Sequence, residues 1–289
     1  MKKKKITAVI CAVLVLAVIS GALIYESNIT LDIDKFTVSS PDIPSEFDSY
    51  NIVQLSDIHN ADYKKFKDDF FESVKSCNPD VIFITGDIVS SYPPSCENSI
   101  EIISRLVKIA DVYFVSGNHE AREEEQYEKM REAFKLYGVK ELENESVFLE
   151  KDGAKINLIG IIDPEFFGDT DKRRALIERT MTELVRDDMY NIMLFHRPEY
   201  FDEICASGVQ LAFTGHAHGG QFILPFIGGV AAPGQGFFPE YTEGIYSSGK
   251  TQMVVSRGIG QSVFPFRINN SPEIVSVTLK SEKKLTEVF

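Results

Sequence analysis

The sequence predicts a layered α/β fold with a largely parallel sheet. Short apolar runs alternate with amphipathic stretches over most of the 289 residues, the pattern of strands feeding helices. Five of the apolar runs stop at a cluster of Asp, His or Asn. The composition, 44% apolar and 25% charged, is that of a globular chain with a full core, and it excludes a disordered, collagen-like or polytopic membrane protein.

The elements follow in order. Residues 26–46 read as a linker and lead-in strand, with Pro41 and Pro44 marking extended chain. Asn51–Leu55 is a buried strand that stops at Ser56-Asp57. Lys64–Ser76 is a helix with Phe66, Phe70, Phe71 and Val74 on one face. Val81–Ile84 is a strand ending at Thr85-Gly86-Asp87, Ser99–Ile109 a helix, and Val112–Val115 a strand ending at Gly117-Asn118-His119. Glu123–Tyr137 is a charged helix. Strands are expected over Ser146–Glu150 and Lys155–Ile161, and a helix over Lys172–Arg186. Asn191–Phe195 ends at His196, and Gln210–Phe213 at Thr214-Gly215-His216. Gln252–Ser256 and Glu273–Leu279 close the chain as strands. In open α/β sheets ligands sit beyond the carboxyl ends of the strands, so five polar strand ends converge on one site.

Charge divides the chain differently. Lys2–Lys5 form a basic head, and Ile6–Tyr25 then run for 20 residues without a charge. As a helix that run is about 30 Å long, the thickness of a bilayer core. The expected organisation is a lysine head plus transmembrane signal-anchor over 1–25, the lead-in over 26–46 and a catalytic domain over 47–289. The lysines stay cytoplasmic and the domain lies outside the cell membrane. The alternative is secretion after cleavage at Ser20-Gly21-Ala22; Leu23, Ile24 and Tyr25, which continue the apolar run, favour the anchor. The formal charge is -13, and about -17 without the head, so nucleic acid is excluded as a general partner. Cys77, Cys96 and Cys205 allow one bridge at most and make no C-x-x-C pair.

The strand-end clusters are Asp57-x-His59, Gly86-Asp87, Gly117-Asn118-His119-Glu120, His196 and Gly215-His216-Ala217-His218. Carboxylate, amide oxygen and imidazole without thiolate suit Mn²⁺, Fe or Zn²⁺ better than Ca²⁺ or Cu⁺. Seven such ligands exceed the needs of one transition metal and fit two divalent ions sharing a carboxylate. All five histidines of the chain lie in these clusters. Gly86, Gly117 and Gly215 allow the backbone to approach the ions closely.

In this order the blocks resemble the signature of the calcineurin-like metallophosphoesterases. The resemblance covers about residues 50–280. The tail is also similar to the bacterial membrane-associated branch around YkuE and YaeI: Gly215–Gln221, Ser256–Gly260 and Arg267–Glu273 carry that finer likeness. The resemblance implies a four-layer α-β-β-α sandwich and two metal ions. One would be held by Asp57, His59 and His218, the other by Asn118, His196 and His216, with Asp87 bridging. It implies in-line attack on phosphorus by a metal-activated hydroxide. His119 would protonate the leaving group or hold a phosphate oxygen, and Glu120 would orient His119. Arg197, Arg257 and Arg267 are candidate phosphate clamps, each with a structural ion pair as the competing reading.

The stretch Phe222–Phe238 is apolar and glycine-rich. It reads either as a greasy lip facing lipid or as a hairpin packed on the core. With the anchor it directs the expectation toward a lipid-linked phosphate ester or pyrophosphate. A non-catalytic metal- or phosphate-binding module, a phosphodiesterase of soluble nucleotides and a dimetal amidase are the alternatives. The full ligand set argues against the first, and the Gly-Asn-His-Glu block against the last.

Overall fold

The structure is a computed structural model and describes residues 2–168, 170–261 and 264–282. Helix α1 (Lys2–Ile29) leads into strand β1 (Asp32–Ser40). The chain then runs through β2 (Asn51–Leu55), α2 (Phe70–Ser76), β3 (Val81–Thr85), α3 (Glu97–Leu106), β4 (Asp111–Val115), α4 (Asn118–Arg122), α5 (Glu124–Tyr137) and β5 (Lys140–Glu141). The second half has β6 (Glu145–Lys151), β7 (Ala154–Gly160), α6 (Thr170–Leu184), β8 (Asn191–Leu194), α7 (Phe201–Ser207), β9 (Leu211–Thr214), β10 (Gly244–Ser248), β11 (Thr251–Val255) and β12 (Glu273–Ser281).

Two six-stranded sheets result, in the orders β1-β12-β2-β3-β4-β5 and β10-β11-β9-β8-β7-β6. Within the first, β2, β3, β4 and β5 are parallel; within the second, β7, β8, β9 and β11 are. Side chains alternate across each strand, and here both faces are buried. On β3, Val81 and Phe83 meet the second sheet's Leu158, Ile192 and Phe213, while Ile82 and Ile84 pack with Phe70, Phe71, Ile103 and Phe134 of the helices outside. On the far side Ile159, Met193 and Ala212 pack on Ile177, Met181 and Ile204 of α6 and α7. The layers are therefore helix, sheet, sheet, helix.

Several elements depart from the sequence reading. The helix expected over Lys64–Ser76 begins only at Phe70, because Asp69 caps it by accepting from the Phe71 and Glu72 amides (2.9 and 3.0 Å). Helix α7 and edge strand β10 were not expected. The segment 26–46 is less a linker than anticipated. It opens with the last turn of α1, and β1 pairs in parallel with β12 along its whole length.

Helix α1 carries the uncharged run. Ile6, Ile10, Val13, Leu14, Val15, Val18, Ile19 and Leu23 are exposed on it. The run also includes Ala8, Val9, Ala12 and Leu16, whose side chains lie outside the described residues, as do Met1 and residues 283–289. Among the described residues no helix is long and apolar enough to cross a membrane, so the transmembrane expectation gains no support from that criterion. The end of α1 is docked on the domain. Asn28 Nδ2 donates to the Arg267 carbonyl (3.0 Å), the Asn269 amide donates to Ser27 Oγ (2.9 Å), and the Lys67 amide donates to the Ile29 carbonyl (2.8 Å).

Candidate metal centre

The parallel strands of both sheets end on one edge. Strand β2 delivers Asp57 and His59, β3 Asp87, β4 Asn118 and His119, β8 His196, and β9 His216 and His218. All eight are buried. Asp57, His59, Asp87 and His218 form one group of converging ligand atoms and Asp87, His196 and His216 a second, so Asp87 belongs to both.

The spacings test whether cations fit. His59 Nε2 stands 3.2 Å from His218 Nε2, and His196 Nε2 stands 3.1 Å from His216 Nδ1. Metal–nitrogen bonds of about 2.0–2.1 Å put two ligand nitrogens about 2.9 Å apart at a right angle and about 3.4 Å apart at the tetrahedral angle. Asp57 Oδ1 lies 3.3 Å from His218 Nε2, and Asp87 Oδ2 lies 3.3 Å from His196 Nε2. Buried Asn118 Oδ1 has no hydrogen-bond donor, which such an oxygen rarely tolerates and a cation would remedy. The ring tautomers agree. The Nδ1 of His196 faces the Thr85 carbonyl (2.7 Å) and that of His59 the Val89 carbonyl (3.3 Å), which leaves each Nε2 free to ligate.

Holding these groups costs backbone energy. Asp57, His59, Asp87, His216 and His218 all have φ between 46° and 62°, a region that costs a non-glycine residue of order 1–2 kcal/mol. The crossing chains are equally tight. A Cβ on Gly86 would sit 2.6 Å from His196 Nδ1 and 2.8 Å from Gly117 Cα, so only glycine fits there.

Glu120 does something other than orient His119. Its buried carboxylate accepts from the amides of Asp87 (2.8 Å), Ile88 (2.9 Å), Val89 (3.1 Å) and Gly117 (2.6 Å). It therefore ties the β3 loop to the β4 loop. The partner of His119 is Ser91, whose hydroxyl lies 2.8 Å from Nδ1, while the His119 amide donates to Asp87 Oδ1 (2.8 Å).

Charge states follow from burial and neighbours. Burial pushes Asp57 up to about 6. Asp87 is as deeply buried, but His196, His119 and His59 around it hold it well below the carboxylate range. His196 is pushed down by burial and more strongly up by Asp87 and Asp57, to about 10. Burial and Asp87 raise Glu120 to about 7 against its amide bonds. Burial lowers His119.

The three arginines separate. Arg197 lines the cleft with Asp87, Asn118, His119 and His216, but its guanidinium is already paired with Asp163 (2.7 and 2.9 Å) and Glu165 (3.1 Å). Arg257 is bound by Glu243, Asp32, Asp34 and Glu273 and does not line the cleft, so its contacts are structural ion pairs. Arg267 is fully buried behind His218. It donates to the carbonyls of Arg257 (2.8 Å) and Gly260 (2.6 Å) and holds those loops rather than a ligand. Sequence reasoning passed over Arg122, which lines the cleft one helical turn after His119. It also passed over Asp163, a buried acid just beyond β7, which the same strand-end rule would have caught.

Comparison with known proteins agrees with this geometry. The profile of the calcineurin-like phosphoesterases matches residues 50–220. The chain is 32% identical over 260 residues to the uncharacterized metallophosphoesterase YkuE of Bacillus subtilis, covering 87% of this chain and 86% of that one. It is 31% identical to YpbG of the same organism, covering 78% of this chain and 79% of the other. To the phosphodiesterase YaeI of Escherichia coli it is 26% identical, with 70% of each chain covered. A match across more than half the chain, over a buried Asp/His cluster fit for divalent cations, makes the protein a member of the calcineurin-like phosphoesterase family and a hydrolase of phosphoric esters.

Proposed function

We propose that the protein is a dinuclear-metal phosphoesterase held at the membrane by α1, acting on a lipid-linked phosphate ester or pyrophosphate. The observation that carries the dinuclear part is Asp87, common to two ligand groups whose nitrogens stand 3.1–3.2 Å apart. Asp57, His59 and His218 would hold one cation and Asn118, His196 and His216 the other, with Asp87 available to both. Mn²⁺, Fe and Zn²⁺ all accept these donors. When bound, the pair supplies Lewis acidity and a water acidic enough to act as the nucleophile at neutral pH.

The chain's own groups do the rest. His119 faces the cleft with Nδ1 tied to Ser91, so Nε2 is the atom that gives a proton to the leaving oxygen. Arg122 and Arg197 line the cleft beside Asp87, each held in place by an ion pair with Glu165. Glu120 fixes the two loops that present Asp87 and Asn118.

Membrane attachment is supported by the exposed apolar residues along α1, which water would not leave uncovered, and by Lys2–Lys5 on the end remote from the domain. On this reading the lysines stay cytoplasmic and the domain lies outside the cell.

The test is metal analysis of the purified full chain, then hydrolysis assays with phospholipids, isoprenyl pyrophosphates, nucleotide-linked lipids and cyclic nucleotides. Activity should vanish with chelator and return with Mn²⁺. Preference for cyclic nucleotides over every lipid would sink the lipid assignment. A metal-loaded but inert protein would sink the enzyme reading and leave the binding module.

A further inference from the structure

Beside His218 lies a second cavity, of about 370 Å³, within the size range of small-molecule sites. Phe222, Val230, Ala232, Pro233, Phe237 and Phe264 line it. His218 and Gln221 are the polar residues at its wall, and among the described residues no charged side chain lines it. Gln221 is already used, since its amide donates to the Phe266 carbonyl (3.0 Å) and ties the two sides together. Two antiparallel hairpins form the floor and lip, Ile223–Leu224 with Gly228–Gly229 and Ala231–Ala232 with Gly236–Phe237. The cavity adjoins the metal cleft, and His218 and Pro233 line both.

Its outer rim is aromatic and wet. Phe237 is 79% exposed and Phe264 50%, and Phe226, Ile227 and Phe238 extend the apolar surface. That rim stands where α1 meets the domain, since Arg267 and Asn269, just beyond Phe264 and Phe266, bond Asn28 and Ser27. A pocket that borders the cleft of two cation-ligand groups on one side and apolar surface beside an apolar helix on the other fits a two-ended ligand.

We infer that this cavity is the subsite for a hydrocarbon chain of the substrate, held so that its phosphate reaches the cleft at His218. The inference rests on the phosphoesterase reading and adds the place where the apolar part of the substrate is held: an ester whose chain, rather than its head group, supplies much of the binding. A bilayer lipid and a soluble prenyl or acyl carrier offer the same chemistry.

The test uses the full chain in detergent, loaded with Mn²⁺, and 4-nitrophenyl phosphodiesters whose second ester is methyl, butyl, octyl or dodecyl. Each added methylene buried should raise kcat/KM about fourfold until the cavity is full. Ala232→Phe, which fills the cavity, should flatten that dependence. Partition into detergent acts on both proteins alike, so the difference between the two slopes reports the cavity. Chain length without effect in the parent protein, or equal slopes in both, overturns the subsite and leaves the phosphoesterase standing; no hydrolysis of any ester overturns the reading beneath it.

Should Ala232→Phe not fold, binding can be read without turnover. The chain has no tryptophan, so Phe237→Trp gives a single reporter at the rim. A ten-carbon phosphonate brominated at its far end should quench it and bromoethyl phosphonate should not; equal quenching by both overturns the proposal. Presenting the dodecyl ester below its aggregation concentration or in phosphatidylcholine vesicles holding the protein separates the sources. Faster turnover in vesicles assigns a bilayer lipid, and equal turnover a soluble amphiphile.

Discussion

The two sides of His218 are built on opposite principles. Toward the cleft, eight polar side chains are buried and five of them sit on left-handed backbone. Away from it, phenylalanines stand in water around an apolar cavity. A protein optimised only for stability would do the reverse, because buried charge and exposed hydrocarbon are both unfavourable. On the reading proposed above, each inversion answers to a ligand, cations on one side and hydrocarbon on the other. The difference teaches which side tolerates change. The cleft is over-determined by crossing loops, and the lip is hardly determined at all.

The strongest way to break this contrast is at Asp87. Asp87→Asn keeps the shape but removes the charge common to both ligand groups. A loss of several kcal/mol of transition-state stabilisation is expected, on the order of 10³-fold in kcat/KM. Metal content measured on the same preparation should fall with it; full metal content and full activity would disprove the shared role.

His119→Ala tests the proton donor. The loss should be about 10²-fold for an alkyl leaving group and much smaller for nitrophenolate, which leaves without a proton. Equal losses for the two would make His119 a phosphate-binding group instead.

Glu120→Gln probes how the cleft is held. One amide oxygen cannot replace a carboxylate that accepts four backbone amides. Metal affinity should drop about 10- to 100-fold, the usual consequence of losing a group that holds ligands in place. Titration of the metal-free protein with Mn²⁺ reads it directly.

Acid should act on the cleft more gently. Burial places Asp57 at about 6, above its ordinary range, so its proton begins to compete with cations as pH falls through that value. Metal retention after dialysis should rise with pH above 6, where a cation displaces only the His196 proton, and fall more steeply below 6, by up to about a further tenfold per pH unit, where it must displace the Asp57 proton as well. A slope that does not change between pH 5 and 7 would show that Asp57 is not a ligand.

The same contrast explains what could be read from the chain. Strand ends were legible because apolar β-strands stop abruptly where polar ligands begin, as at Leu55-Ser56-Asp57 and Phe213-Thr214-Gly215-His216. The grouping of ligands around Asp87 came from family resemblance, since periodicity places residues on an edge without pairing them. Glu120 was misread because its partners are amides, which every residue has and no sequence marks. Arg257 sits in a motif-like run, yet four carboxylates from distant segments claim it. Strand β10 was missed because Gly244-Ile-Tyr-Ser-Ser holds only two apolar residues, and pairing with β11 extends it. At Phe222–Phe238 composition left two readings, and each captured half: the segment is hairpins, but hairpins with phenylalanines outside.

The smallest effect is expected at the tip of that lip. Phe226 is fully exposed between the strands of the first hairpin, and its φ of 69° suits asparagine better than phenylalanine. Phe226→Asn removes no buried contact and eases the backbone. Stability should therefore shift by no more than about 0.5 kcal/mol, a change in Tm of about 1–2 °C. A thermal melt of the full chain in detergent measures it. A fall of many degrees would mean that the lip packs against the body, and the cavity behind it would then be a gap in the core with no claim on a hydrocarbon chain.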